Sequence, residues 1–287
     1  MIRGRLRLFG LLAACVLALL AFLGPTASGE RAVHQYLFVV DVTRSMTVTD
    51  YLVNGEPVSR LELTREALRQ VLRALPCDSR VGIGLFSGWQ TGILLEPVEV
   101  CAHRQELGQL VEDLDWRLGW VPQSNVQRAL RHGMLQIGRM EQQPSLVFMT
   151  DGDEAPSPLR SGWSGSAPPE LASEVILVGT GAEEPSNVPR LDQRDEVVGF
   201  LSLPSGAPAV SGLDQSHLQE LAEPSGFRYH LLRDVEGLVR ELTAPERAAM
   251  LPGRYSLSPW LASAALMLIL VLHLPGLSRF SRSPSGK

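Results

Sequence analysis

Charge is missing from two long stretches of the chain. No charged residue occurs from Leu8 to Gly29, and none from Tyr255 to Ser278 with His273 counted as neutral. Each window is long enough to cross a bilayer, which excludes an ordinary solvated terminus at either place. Arg3, Arg5 and Arg7 precede the first window, and Arg279, Arg282 and Lys287 follow the second. Positive residues stay cytoplasmic, so both termini are expected in the cytosol and the intervening chain on the other side. Residues 1–29 read as a signal peptide or an N-terminal membrane anchor, with Thr26-Ala27-Ser28-Gly29 the place for cleavage. Residues 244–256 read as a linker, 257–277 as a transmembrane helix with Trp260 at the outer interface, and 278–287 as a cytoplasmic tail. The competing reading of the second window is a buried core helix. Leu12-Ala13-Ala14-Cys15 has the look of a lipoprotein box, but apolar rather than polar residues follow Cys15.

Cysteine is scarce, with three in 287 residues. Cys15 lies in the first apolar window, which leaves Cys77 and Cys101. Arg80–Ser87 and Thr91–Val100 read as two strands joined at Gly88-Trp89-Gln90, and a turn centred on Trp89 sets 77 opposite 101. Cross-strand neighbours are within disulfide reach, and an oxidising compartment would close the bond. Two buried free thiols are the alternative.

Basic residues are few outside the ends. Setting aside the six in the tails moves the formal net charge from −5 to −11. An acidic central region argues against nucleic acid or an anionic surface as partner. It suits a cation or a basic protein, and equally plain solubility. Catalytic signatures are missing as well. There is no Gly-x-Ser-x-Gly elbow, Walker loop, Rossmann glycine fingerprint or His-Glu-x-x-His. Gly82-x-Gly84 falls inside a strand. The chain is therefore expected not to be an enzyme.

What the chain does have is Tyr36–Met46, YLFVVDVTRSM. A short apolar run bounded by polar residues reads as a buried strand of a parallel sheet, and ligands bind beyond the carboxyl ends of such strands. Asp41, Thr43 and Ser45 sit there, at an i, i+2, i+4 spacing that faces one side of an extended chain. Hard divalent cations take all-oxygen sites of this kind. Ser145–Asp151, SLVFMTD, repeats the pattern of an apolar run ending in an acid, and Gln123-Ser124-Asn125 offers a further hydroxyl at a helix start. Asp153 and Glu154 read as a solvated acidic turn, with extra carboxylates for the metal as the alternative. His132 reads as solvated. Trp116 and Trp120 read as helix–sheet packing, with a contact surface as the second possibility.

Helices are expected after Ser59, which forms a capping box with Glu62, over His103–Asp113, Asn125–Met140, Leu213–Gly226 and Asp234–Leu242. Further strands are expected at Glu174–Thr180 and Phe227–Leu231, and a small projecting hairpin within Asp192–Leu201 of the long 181–212 segment. Gly152–Glu170, with Trp163, reads as a surface loop. The alternation gives an α/β fold, a doubly wound, mostly parallel sheet with one antiparallel edge strand, over residues 35–243.

Asp41-x-Thr43-x-Ser45, Ser124 and Asp151 together resemble the metal-ion-dependent adhesion site of von Willebrand factor A domains. Thr43 stands where Ser is commoner in that family and Ser124 where Thr is commoner, and Pro122-Gln123 replaces a glycine-rich lead-in. The resemblance implies a divalent cation, Mg²⁺ foremost with Ca²⁺ or Mn²⁺ as alternatives, held by Asp41, Thr43, Ser45, Ser124 and Asp151. It also implies a partner protein that donates an acidic side chain. Asp41-Val-Thr-Arg-Ser-Met, Pro57-Val-Ser-Arg-Leu-Glu, Leu75-Pro-Cys-x-Ser-Arg-Val-Gly, Glu96-Pro-Val-Glu-Val-Cys and Asp115-Trp-Arg further resemble the MxaL group of bacterial methanol-oxidation clusters. That resemblance implies a protein of the bacterial inner membrane with its bulk in the periplasm. It would serve maturation and calcium loading of the quinoprotein methanol dehydrogenase, with that enzyme and other maturation factors as partners. A general Bat or MoxR-associated adaptor with another client is the alternative. A Mg²⁺-dependent phosphohydrolase of the haloacid-dehalogenase kind is weaker, since its second Asp would fall at Thr43.

Overall fold

The computed structural model describes residues 2–121, 123–154 and 174–273. Pro122, most of the loop that carries Trp163, the end of the expected 257–277 helix and the basic tail beyond it lie outside them. Contacts divide the chain into a unit of Ala32–Ala249 and a unit formed by the two ends, Met1–Arg31 with Met250–Lys287.

The chain opens with α1 (Ile2–Phe22) and β1 (Thr26–Val33), the strand covering the place expected for cleavage at Thr26–Gly29. β2 (Gln35–Asp41) follows, then a 3-10 turn at Arg44–Thr47 and a small hairpin of β3 (Tyr51–Val53) and β4 (Glu56–Val58). Asn54 and Gly55 turn this hairpin at positive φ, 53° and 86°, where only such residues sit easily. α2 (Arg60–Ala74) starts as expected, with the Ser59 hydroxyl accepting from the Glu62 N–H, and stops before Pro76. β5 (Arg80–Ser87) and β6 (Gln90–Glu99) form the antiparallel pair. α3 (Arg104–Glu112), α4 (Val126–Ile137) and β7 (Ser145–Thr150) come next, then β8 (Val175–Gly179). The long segment after it holds β9 (Ser186–Asn187), β10 (Pro189–Leu191), β11 (Val197–Phe200) and β12 (Val210–Ser211). β10 and β11 are the projecting hairpin. α5 (Gln215–Ala222), β13 (Arg228–Leu231) and α6 (Val235–Leu242) complete the domain.

The central sheet runs β13-β8-β7-β2-β5-β6, parallel throughout except for edge strand β6. β2 lies near its middle, buried on both faces. Tyr36, Phe38 and Val40 pack with α2, α3 and α6, while Leu37 and Val39 pack with α4 and α5. That period of two explains why the run is continuously apolar rather than alternating.

The Cys77–Cys101 disulfide is formed, with a Cα separation of 5.2 Å. The pairing between β5 and β6 is less regular than a single turn centre implies. Two register shifts carry it from Ser87↔Gln90 to Arg80↔Glu99, and the cysteines meet just beyond the ladder.

In the terminal unit, β1 pairs with β14 (Ala249–Ser256), so much of the expected 244–256 linker is strand. α7 (Ser258–His273) closes the described chain. Among the described residues no helix is long and apolar enough to cross a membrane.

Candidate metal centre

Asp41 is the last residue of β2 and is fully buried. Its Oδ1 accepts from the Thr43 amide at 2.8 Å and the Thr43 hydroxyl at 2.6 Å, and its Oδ2 accepts from the Thr150 hydroxyl at 2.6 Å. Thr43 Oγ1 lies 3.0 Å from Ser45 Oγ. The convergence does not come from an extended chain alone. Thr43 is extended, with φ −69° and ψ 163°, but Ser45 lies inside the 3-10 turn that Thr43 caps. The turn folds the second hydroxyl back over the first.

Asp151 follows β7, the neighbour of β2, and is also fully buried. The nearby Ser45 hydroxyl favours its charged form. Oδ1 accepts from the Asp153 amide at 3.0 Å, and Oδ2 accepts from Arg60 Nη1 at 2.8 Å. Asp41, Thr43 and Ser45 thus form one hydrogen-bonded group, and Asp151 lies near enough to act on Asp41 by its charge.

Ser124 reaches the same end of the sheet by another route. It bridges Gly88, just past the end of β5, and the Asn125 amide donates to the Gly88 carbonyl at 2.7 Å. Asn125 also caps α4 by accepting from the Arg128 amide. The Ser124 Oγ is buried and has no hydrogen-bond partner among the described residues. A buried hydroxyl without a partner carries its desolvation cost uncompensated.

Two buried carboxylates at one place repel each other's charge. Asp41 is pushed up to about 7, chiefly by burial and then by Asp151, against the pull of the Thr150 and Thr43 hydrogen bonds. Asp151 is also raised by burial, with Arg60 opposing. The donors are all oxygen, a charge shortfall exists where they meet, and one hydroxyl is unused. These features fit a small hard cation.

Residue-level reading missed much around this group. In the sequence Thr150 reads only as the end of a strand. Arg60, at the first position of α2, is wholly buried and pairs with Asp151 and with Asp50 at 2.6 Å. A cation in the first turn of a helix opposes the helix dipole, and that was the available signal. The acidic turn is not solvated. Glu154 is buried, accepts from the Gln127 amide at 3.2 Å and lies 3.5 Å from His217 Nε2, while Asp153 is half-buried. His132 is half-buried rather than solvated, and its Nδ1 accepts from the Thr91 amide at 3.1 Å. Trp116 packs against the core as expected and also serves a polar role. It lies under Arg44 and Arg117, and its Nε1 donates to Asp195 at the tip of the β10–β11 hairpin. Trp120 is exposed.

Residues 36–154 match the family model of the von Willebrand factor type A domain. The Ala32–Ala249 unit has a von Willebrand A fold. An aerotolerance-related membrane protein from Bacteroides fragilis is similar at 15% identity and a TM-score of 0.56, with 73% of this chain and 96% of that one covered. BatB from Bacteroides thetaiotaomicron is similar at 16% identity and a TM-score of 0.57, with 75% and 99% covered. At such identities the likeness shows the fold. No curated protein matches the sequence. Von Willebrand A domains often bind a divalent cation, and the five residues expected to do so here lie at the carboxyl end of the sheet.

Proposed function

We propose that this von Willebrand A domain binds a divalent cation, Mg²⁺ foremost, and uses it to hold a partner protein rather than to turn over a substrate. The hydrogen-bonded group of Asp41, Thr43 and Ser45, with the Asp151 charge beside it and the unpartnered Ser124 hydroxyl, carries the reading. Bound there, the cation would supply an electrophilic position for a carboxylate oxygen of the partner. Asp41 and Asp151 would provide the negative charge, and Thr43, Ser45 and Ser124 neutral oxygens. Thr150 and the backbone of Thr43 orient Asp41, and Asp153 N–H orients Asp151.

The charge-free windows and their basic flanks support attachment to a bacterial inner membrane with this domain in the periplasm. Leu8, Phe9, Leu12, Val16 and Leu19 of α1 and Leu266, Met267 and Val271 of α7 expose large apolar surfaces, which an apolar phase would cover. The motifs shared with the MxaL group support a role in methanol dehydrogenase maturation. A Bat-like adaptor with another client is the second reading.

Metal-dependent co-purification tests this. The tagged full chain and its Asp41→Ala and Ser124→Ala variants would be captured with Mg²⁺, Ca²⁺ or chelator. Methanol dehydrogenase subunits or maturation factors are expected with metal, and lost with chelator and in both variants. Retention of the same partners under chelator would overturn the metal-bridged reading. Capture of unrelated clients would leave the metal role and remove the methanol-oxidation assignment.

A further inference from the structure

The Arg60 guanidinium has five N–H donors, and all five are used. Nε and Nη2 donate to Asp50 Oδ2 at 2.9 and 2.6 Å. Nη1 donates to Asp151 Oδ2 at 2.8 Å and to Ser211 Oγ at 2.9 Å, and Nη2 also reaches the Ser211 carbonyl at 3.2 Å. The side chain has no solvent exposure. Gly181 lies against it at φ +118°, where an added Cβ would stand 2.6 Å from Nε. A buried cation is costly unless geometry and hydrogen bonds compensate it, and here the surroundings are shaped to do so. One of its two carboxylate partners belongs to the candidate metal centre.

We infer that Arg60 is a built-in counter-cation of the metal centre, one that holds Asp151 Oδ2 and sets the charge the bound ion meets. This rests on the metal reading above. With Asp151 neutralised by Arg60, Asp41 is left as the main negative charge among the five ligands. The ion is then held mostly by hydroxyl oxygens and keeps its demand for a carboxylate from outside. Asp50 shares the same guanidinium, so it regulates how much of Arg60's charge falls on Asp151. Ser211 ties the segment after β8 to the same group.

The prediction has opposite signs at two positions. Arg60→Gln removes the cation and should tighten Mn²⁺ binding at least tenfold. Asp50→Asn keeps the acceptor for Arg60 but removes its competing charge, and should weaken Mn²⁺ binding about tenfold. Arg60→Lys keeps the charge and should stay within about threefold of wild type. A role confined to packing would move Arg60→Gln and Asp50→Asn the same way, since both break the Arg60–Asp50 ion pair. Isothermal titration of the detergent-solubilised full chain with Mn²⁺ alone reads these values, with thermal unfolding recorded beside it to check folding. Shifts in the same direction, or none, overturn the inference while leaving the metal site standing. If Arg60→Gln does not fold, the sign of the Asp50→Asn shift decides. Absence of Mn²⁺ binding by wild type, or binding kept in Asp41→Ala, overturns both the inference and the reading beneath it.

Discussion

At the scale of single residues, spacing told which side chains gather but not which partners they find. Asp41, Thr43 and Ser45 were legible because a carboxylate and hydroxyls closing a buried run are an unusual polar ending. Arg60 was not, because its partners Asp50, Asp151 and Ser211 lie 10, 91 and 151 positions away. The Glu154–His217 pair was hidden for the same reason, since a carboxylate next to Asp153 resembles any exposed acidic turn. This pair carries a pH signature. His217 is raised above its ordinary value first by the Glu154 carboxylate 3.5 Å from its Nε2, with burial opposing, and Asp214 and Glu220 adding to the rise. A raised histidine contributes stability that is complete below its unfolded pKa, about 6.5, and is lost as pH climbs through the folded value. His217→Gln should therefore lower unfolding stability at pH 5.5 more than at pH 8.5. Urea denaturation at the two pH values measures it, and an equal loss at both would remove the pair as its cause.

Elements were easier to read than their details. The inner strands β2, β5, β7 and β8 announced themselves as apolar runs, and four helices begin at side-chain caps, Ser59, Asn125, Asp214 and Asp234. The hairpin of β3 and β4 went unread although Asn54-Gly55 is a strong turn signal, because the flanking strands are only three residues each and one contains Pro57. The β5–β6 hairpin was legible, but its register shifts were not, since a bulge depends on how both strands twist against the sheet. The disulfide beyond that hairpin closes a loop with a sequence separation of 24. Chain-entropy arguments give such a closure about 3 kcal/mol. The Cys77→Ala/Cys101→Ala variant should lose about that much unfolding free energy in urea. The bridge lies before the start of β5, at the end of the sheet opposite Asp41, whose partner on β5 is Phe86. Cation binding by the folded variant should therefore match wild type, and a parallel loss of binding would show that the hairpin tensions the metal loop.

For the whole molecule, the doubly wound order with a single antiparallel edge followed from alternation of strand and helix, whereas the structure of the two chain ends did not. Apolar composition says that a segment leaves water, not what it packs against. Within the terminal unit, α1 meets α7 so closely that a Cβ on Gly10 would stand 2.6 Å from Leu272 Cδ1. The Leu257 amide donates to the Pro25 carbonyl at 2.9 Å, and the Tyr255 hydroxyl donates to the Glu30 carbonyl. The Arg31 guanidinium lies over the Tyr255 ring at 4.6 Å. A glycine set against a neighbouring helix lets the two lie close, and under the membrane attachment proposed above this would favour a retained anchor over a cleaved leader. The described part of α7, sixteen residues, is about 24 Å long, short of a bilayer core of about 30 Å, while the charge-free window runs on to Ser278. Intact mass of the chain purified from membranes should therefore include residues 1–29, and Gly10→Leu should loosen the helix pair, seen as easier extraction by mild detergent. A mature mass beginning near Gly29 would instead assign α1 to a leader, and α7 would then have to cover its Leu272 face with lipid or another protein.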